Sequence, residues 1–313
     1  MNHKYNKAAA GLLLGFSIGF LCLALGAHFR SSSAFVPLGF YAGSSSNCSQ
    51  ATTFLARTSG LTAPQQTSYK NMICSMVTNG VITGSLASSD YCGSKLDRFY
   101  LLGAPDSTTS LLDICGHASL SASGSPTFTA NAGWNGAESS GQCLLSDFVP
   151  STGGGSYTQN SAHLALWNLT NSTSGGVDAG TGPNPSPGPG ITIMQLKYTA
   201  GDFLTSINDN NVDTGFATTD ASGYYVMNRT GASTVDTYRN GSLLYSPNTT
   251  STGLSAYQLS LLAFSNGGSC NFGSPHQISV AHVGGALSST NIGNIKTAVC
   301  LFVAASSLSW SGC

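Results

Sequence analysis

The chain has 313 residues, enough to bury the core of one large domain or two modest ones. Charged residues make up 7 % of it and the net charge is −1, which excludes the clustered lysine and arginine of a nucleic-acid interface. With 38 glycines, abundant serine and threonine and a mean hydropathy of +0.08, the composition excludes a disordered chain and suits a neutral exterior over an apolar core.

At the N-terminus, Lys4 and Lys7 precede the uncharged run "AAAGLLLGFSIGFLCLALGA", residues 8–27. Its length lies between a signal peptide core and a membrane span. Residues 1–34 are therefore read as a signal peptide or a signal anchor, with the remainder exported; if the segment stays uncleaved, it is the chain's membrane attachment. Residues 35–119 read as a small, mainly helical region. In "TAPQQTSYKNMICSMVTNG", Thr62 caps, Pro64 sits in the first turn, and Tyr69, Met72, Ile73, Met76 and Val77 follow helical spacing up to Asn79-Gly80. "SKLDRFYLLGAP" reads as a strand or extended link, and "DSTTSLLDICG" as a short helix capped by Asp106 or Ser107.

From residue 120 to residue 313 the pattern becomes short β-branched and aromatic segments separated by Gly, Asn, Pro and Ser clusters. "GSPTFTANAGWNG", "SAHLALWNL", "ITIMQLKYTA", "DFLTSIND", "GYYVMNRT", "AYQLSLLAFS" and "HQISVAHVG" are the strand candidates. The fold class this implies is mainly β: an antiparallel β-sandwich or jelly roll ending in a helix capped near Ser288 or Ser289. "TVDTYRNGSLLYS" forms a hairpin on an Asn240-Gly241 type I′ turn, in which Arg239 faces Ser242, Tyr238 faces Leu243 and Asp236 faces Tyr245. "GGVDAGTGPNPSPGPG" reads as a rigid, polar surface loop between strands.

Cys22 lies within the apolar segment, leaving Cys48, Cys74, Cys92, Cys115, Cys143, Cys270, Cys300 and Cys313. No C-x-x-C pair occurs, so disulfides in an oxidising compartment are the expectation. Sequence alone leaves their connectivity open, although a boundary near residue 119 divides the eight equally.

The ordered motifs "ARTSGLTAPQQTSYKNMI", "KLDRFYLLGAPDSTTSLLDI", "GSPTFTANAGWNG", "YTQNSAHLALWNLT" and "NRTGASTVDTYRNGSLL" through "HQISVAHVGGALSSTNI" resemble a family of phage and prophage-associated proteins. These carry a laminin G-like jelly roll of the concanavalin A-like lectin and glucanase superfamily. The resemblance spans about residues 50–304 and implies that fold. The apolar N-terminal segment, the cysteine content and "ITGSLASSDYCG" depart from the family pattern.

Catalysis is not expected. The superfamily's glucanases use spaced carboxylates, whereas this chain has one glutamate, Glu138, and no two of its eleven aspartates stand i, i+2 on a strand candidate. A G-x-S-x-G nucleophile elbow is also missing. His276 and His282 lie six residues apart, roughly 20 Å along a strand, too far to share a metal ion. They and His163 read as hydrogen-bonded strand residues. In "DNNVDTGFATTD", Asp209, Asn211, Asp213 and Asp220 fall at positions 1, 3, 5 and 12 of a calcium loop, without its turn glycine or bidentate glutamate. Calcium is thus the one cofactor candidate, set against a plain inter-strand loop. Trp134, Trp167, Tyr224 and Tyr225 are the candidate sugar-stacking aromatics, set against a role in the core. Six N-x-S/T sequons, at Asn47, Asn168, Asn171, Asn228, Asn240 and Asn248, add little in so hydroxyl-rich a chain.

The expected function is an exported, non-enzymatic surface recognition module. Its partners would be glycans on a cell or particle surface, in the setting of host attachment or a virion. The alternative is a structural component whose loops meet neighbouring subunits in a virion or surface layer; a glycoside hydrolase ranks third.

Overall fold

The structure, a computed structural model, describes residues 47–85, 91–138, 141–153, 155–198 and 201–313; the side chains of residues 213–215 lie outside this description. The signal or anchor segment 1–34 also lies outside it. Among the described residues the helices are α1 (Ser49–Leu55), α2 (Ala63–Thr78), α3 (Ser107–Ser110) and α4 (Ser289–Ala305). One sheet holds β1 (Arg98–Tyr100), β3 (Thr127–Thr129), β4 (Gly133–Asn135), β6 (Ala162–Asn168), β11 (Gly223–Arg229), β12 (Val235–Arg239), β13 (Ser242–Tyr245) and β17 (Ile278–Gly284). The other holds β2 (Ser121–Ser123), β5 (Cys143–Leu145), β7 (Ala179–Gly182), β8 (Ile191–Gln195), β9 (Asp202–Asp209), β10 (Asp213–Ala217), β14 (Ser260–Leu261), β15 (Phe264–Asn266) and β16 (Ser269–Asn271). The chain is a mainly β protein whose two sheets form an antiparallel sandwich. Its parallel pairing is β15 with β7.

The central strands of the first sheet, β6, β11 and β17, are buried on both faces because both faces are covered there. Side chains alternate across a strand, so Ala165 and Trp167 of β6 and Tyr224 and Val226 of β11 join the core shared with α1, α2 and α4. Leu164, Leu166, Tyr225 and Met227 point the other way, into the core against the second sheet. In α2, Tyr69, Met72, Ile73 and Met76 form the buried stripe that the spacing predicts. Tyr69 meets Phe302 of α4 edge-on, with ring centroids 5.1 Å apart. Gln65 returns its side-chain oxygen to the Thr62 backbone N–H at 2.8 Å, and Asp106 caps α3 through Thr109 N at 2.8 Å.

The expected division at residue 119 is not a domain boundary. Strand β1 pairs with the central β17, Arg98 opposite Val283 and Tyr100 opposite Ala281. The Asp97 carboxylate accepts the backbone N–H groups of Ser156 and Tyr157, both at 2.8 Å. The helices cover apolar sheet surface that water would otherwise meet, so the core beneath them is built by both parts. All eight candidate cysteines pair, as Cys48–Cys74, Cys92–Cys115, Cys143–Cys270 and Cys300–Cys313. Each bridge stays on one side of residue 119. Four disulfides mark an exported chain. No helix among the described residues is long and apolar enough to cross a membrane.

Two local expectations are corrected. Residues 179–182, read as part of a polar surface loop, form the fully buried strand β7. Its glycines are what allow this: a Cβ on Gly180 would stand 2.7 Å from the Thr192 carbonyl oxygen. In the hairpin, Tyr238 faces Leu243 and Arg239 faces Ser242, but a bulge follows and Tyr245 pairs with Thr237 in place of Asp236. Residues Asn240 and Gly241 have φ of 52° and 89°, as the turn requires.

Candidate functional site

The bulge re-aims the end of the hairpin, and the chain beyond it folds back over the end of β9. The returning segment is pinned from several sides. Thr234 bridges to Asn248, Ser251 N donates to the Ala232 carbonyl and Thr252 N to the Asn208 carbonyl, both at 2.8 Å. Asn208 has φ 60°, and its side-chain oxygen accepts from the buried Tyr157 hydroxyl at 2.6 Å.

Beneath the segment lies Arg229, whose side chain is 0 % exposed. Its Nε donates to the Ile207 carbonyl at 2.8 Å, and Nη1 donates to the carbonyls of Thr249 at 2.9 Å and Ala232 at 3.1 Å. Its Nη2 is 3.9 Å from the Asp209 carboxylate. That carboxylate accepts from the Ser206 hydroxyl at 2.7 Å and from Asn211 N at 2.8 Å. A guanidinium is strongly disfavoured in an apolar interior unless its donors are used, so Arg229 ties β9, β11 and the returning segment into one geometry.

Between the β9–β10 turn and the returning segment is an open groove of about 610 Å³, lined by Asp209, Asn210, Asn211, Tyr245, Asn248 and Thr250 among others. This volume falls within the ~300–1,000 Å³ of small-molecule sites. The ring of Tyr245 stands 5.3 Å from Phe216, itself stacked on Phe203 at 5.1 Å, so the aromatic wall is backed by the core. Among the described residues the groove combines one aromatic ring, one carboxylate, side-chain amides and hydroxyls.

Of the residues singled out in the sequence, Asp209 and Asn211 meet here. Asp213 begins β10, but its side chain lies outside the described residues. Asp220 is elsewhere: β10 runs back along β9, with Asp213 opposite Thr205 and Ala217 opposite Asp202, so Asp220 follows the far end of the hairpin. There it pairs with Arg239 and accepts from Ser222. Its carboxyl lies below the usual range: burial acts upward, but the Ser222 and Arg239 hydrogen bonds outweigh it. The twelve-residue calcium spacing therefore does not become one cluster. Among the described residues no group of three or more His, Cys, Asp or Glu is placed to hold a metal ion.

The four aromatic candidates are core residues. Trp134 is 7 % exposed and donates to the Ser110 hydroxyl, while Trp167, Tyr224 and Tyr225 are 0 % exposed. Trp167 stacks on Tyr224 at 5.2 Å. They cannot offer a face to a sugar because both faces of their sheet are covered. The groove's own aromatic, Tyr245, was missed in the sequence, as were Asn210, Asn248 and Thr250. The available signals were the hydroxyl- and amide-rich "SPNTTST" after the hairpin and an arginine closing the apolar strand "GYYVMNR".

The histidines form two buried clusters. His276 Nδ1 lies 2.7 Å from the Asp178 carboxylate and its Nε2 lies 2.9 Å from the Ser172 carbonyl. The Ser274 hydroxyl donates to Asp178 at 2.6 Å, so the imidazole is not placed to take the serine proton. The second cluster runs from Tyr224 through His282 to His163, with Tyr224 Oη 2.8 Å from His282 Nε2 and His282 Nδ1 2.8 Å from His163 Nε2. His163 Nδ1 faces the Gly285 carbonyl at 2.6 Å.

No family model matches the chain, and no curated protein matches it. Among solved structures it is similar to Trypanosoma rangeli sialidase, at 10 % identity and a TM-score of 0.45, over 74 % of this chain and 38 % of that one. It is also similar to the binding domain of botulinum neurotoxin DC, in a structure with SialylT, at 11 % identity and TM-score 0.45, over 68 % and 52 % of the two chains. A third likeness is to domain 4 of AbnA, a GH43 extracellular arabinanase from Geobacillus stearothermophilus, in complex with arabinotriose. There the identity is 15 % and the TM-score 0.38, over 64 % of this chain and 98 % of that one. These scores assign neither a ligand nor an activity. Sialidases are among these matches, against the expectation that the chain is no enzyme. That expectation rested on a missing carboxylate pair and nucleophile elbow, whereas sialidases use a tyrosine nucleophile. Two missing motifs do not exclude every hydrolytic route.

Proposed function

We propose that the protein is an exported glycan-recognition module and that the groove beside Asp209 and Tyr245 is its binding site. The observation that carries this is the lining itself. Sugars present hydroxyls on the rim of each ring and patches of C–H on its faces. The asparagine amides and the threonine hydroxyls answer the rim, and the Tyr245 ring offers a flat surface to a face. Arg229 holds the returning segment in place, which lowers the ordering cost of binding. The laminin G-like resemblance points to the same class of ligand and, through its phage-associated members, to attachment at a cell or virion surface.

The test is a glycan panel probed with the full chain made in an oxidising compartment, alongside Tyr245→Ala. Binding of panel members that Tyr245→Ala loses, with its far-UV spectrum unchanged, supports the reading. Binding that the variant keeps would place the site elsewhere, and a panel without binders would overturn the reading.

A further inference from the structure

We infer that the groove selects neutral saccharides and rejects their acidic counterparts. This rests on the glycan-binding reading above and adds to it the charge class of the ligand. Recognition of a sugar carboxylate or sulfate normally uses a guanidinium or ammonium that can reach it. Among the described residues lining the groove there is no Arg, Lys or His, and the charged one, Asp209, is 4 % exposed and 3.9 Å from the Arg229 guanidinium. A second carboxylate stands at its margin, where Asp236 accepts the hydroxyl of Ser246 at 2.6 Å, between the lining residues Tyr245 and Pro247.

Arg229 lies beneath the groove with its donors turned onto the protein. Its side chain is 0 % exposed. Its donors are directed at the Ile207, Ala232 and Thr249 carbonyls and at Asp209. To reach a ligand anion it would have to abandon the buried Ile207 carbonyl and its contacts to the Ala232 and Thr249 carbonyls. An acidic sugar entering the groove would therefore shed water from its charge without gaining a counter-charge. A neutral sugar needs no counter-charge and meets the hydroxyl and amide groups of the lining.

The experiment uses matched probes: lactose with 3′-sialyllactose, and neutral xylo-oligosaccharides with their glucuronic-acid-bearing forms, all immobilised and presented to the full-length protein. The neutral member of a bound pair should be held at least ~10-fold more tightly than the acidic one, since the acid's charge is desolvated with no cation to meet it. Asn210→Arg, which places a cation on the lining, should narrow or reverse that ratio, and Tyr245→Ala should abolish binding of both members. Acidic members bound as well as neutral ones, or a ratio unmoved by Asn210→Arg, would overturn the charge selection while leaving the glycan reading intact. Binding of neither member across all pairs would overturn both.

Discussion

His276 and Asp178 form a buried pair, Nδ1 to carboxylate oxygen 2.7 Å, with both side chains 0 % exposed. The Asp178 carboxylate and the Ser172 carbonyl can only accept, so the ring carries both protons and is a cation. Burial alone would push its pKa down. The charge and hydrogen bond of Asp178, helped by the Ser172 carbonyl, outweigh it and raise the pKa to about 9. A raised folded pKa means that this stabilisation is complete below the ordinary histidine value of about 6.5 and is lost as pH rises through about 9. We expect the unfolding free energy to fall on the order of 3 kcal/mol across that window from this pair. Urea titrations between those limits should show the slope in the wild type and a flatter profile in His276→Gln; equal slopes would remove the pair from the account.

On the acid side the second cluster acts. The Gly285 carbonyl accepts from His163 Nδ1, so His163 Nε2 accepts from His282 Nδ1 and His282 Nε2 accepts from the Tyr224 hydroxyl. This order needs both rings neutral. Burial lowers the His163 pKa to about 4 and, with the neighbouring His163, lowers that of His282 further below the ordinary value. The stabilisation is thus full above about 6.5 and lost as pH falls toward 4. The neighbouring Asp113, which accepts from Phe99 N, opposes it: burial raises its pKa to about 6. His282→Gln should weaken the acid dependence of unfolding measured by urea titration, and an unchanged dependence would assign acid sensitivity to other groups.

Removing the bridge between Cys143 and Cys270 should have the largest effect of the four disulfides. It closes 127 residues, against 26, 23 and 13 for the others. Chain entropy predicts a loss on the order of 4–5 kcal/mol for a loop of that size and nearer 3 for the shortest. Paired Cys→Ala variants compared by urea midpoint should show that ranking.

The hairpin supplies a backbone test. Gly241 has φ 89°, where a β-branched side chain is strained. Gly241→Val should cost about 1–3 kcal/mol and lower the melting temperature without any ligand present. A melting temperature equal to the wild type would mean that the turn relaxes freely.

What the sequence revealed was what local physics controls. Helix α2, the Ser288 cap of α4 and the Asn240-Gly241 turn depend on neighbours in the chain, and the structure has them where the spacing predicts. The role of Trp167 and Tyr224 was not readable, because it depends on helices covering the second face of their sheet. Strand β7 was hidden for a related reason: alanine and glycine carry no strand signal, and only the close approach of β8 and Phe264 makes its glycines necessary. The calcium spacing misled because it counts residues along the chain, while β10 turns back and carries Asp220 away from Asp209. The groove was legible only as composition, since the bulge between Thr237 and Tyr238 that aims its walls has no sequence mark.

The decisive residue for the groove is one that no ligand touches. Arg229 differs from a lysine in its fork: Nε and Nη1 reach carbonyls on β9 and on the returning segment at once. Arg229→Lys keeps the charge near Asp209 but cannot make both contacts, so we expect a loss of about 1–3 kcal/mol. Arg229→Gln also leaves the buried Asp209 carboxylate without its cation, and the loss should rise to about 3–5 kcal/mol. Adding Asp209→Asn to Arg229→Gln removes that unpaired charge, so the double variant should recover part of the stability. Urea unfolding of the wild type, both single variants and the double variant closes the cycle. A coupling indistinguishable from zero would show that the ion pair at 3.9 Å contributes nothing, and that Arg229 holds the segment through its carbonyl hydrogen bonds alone.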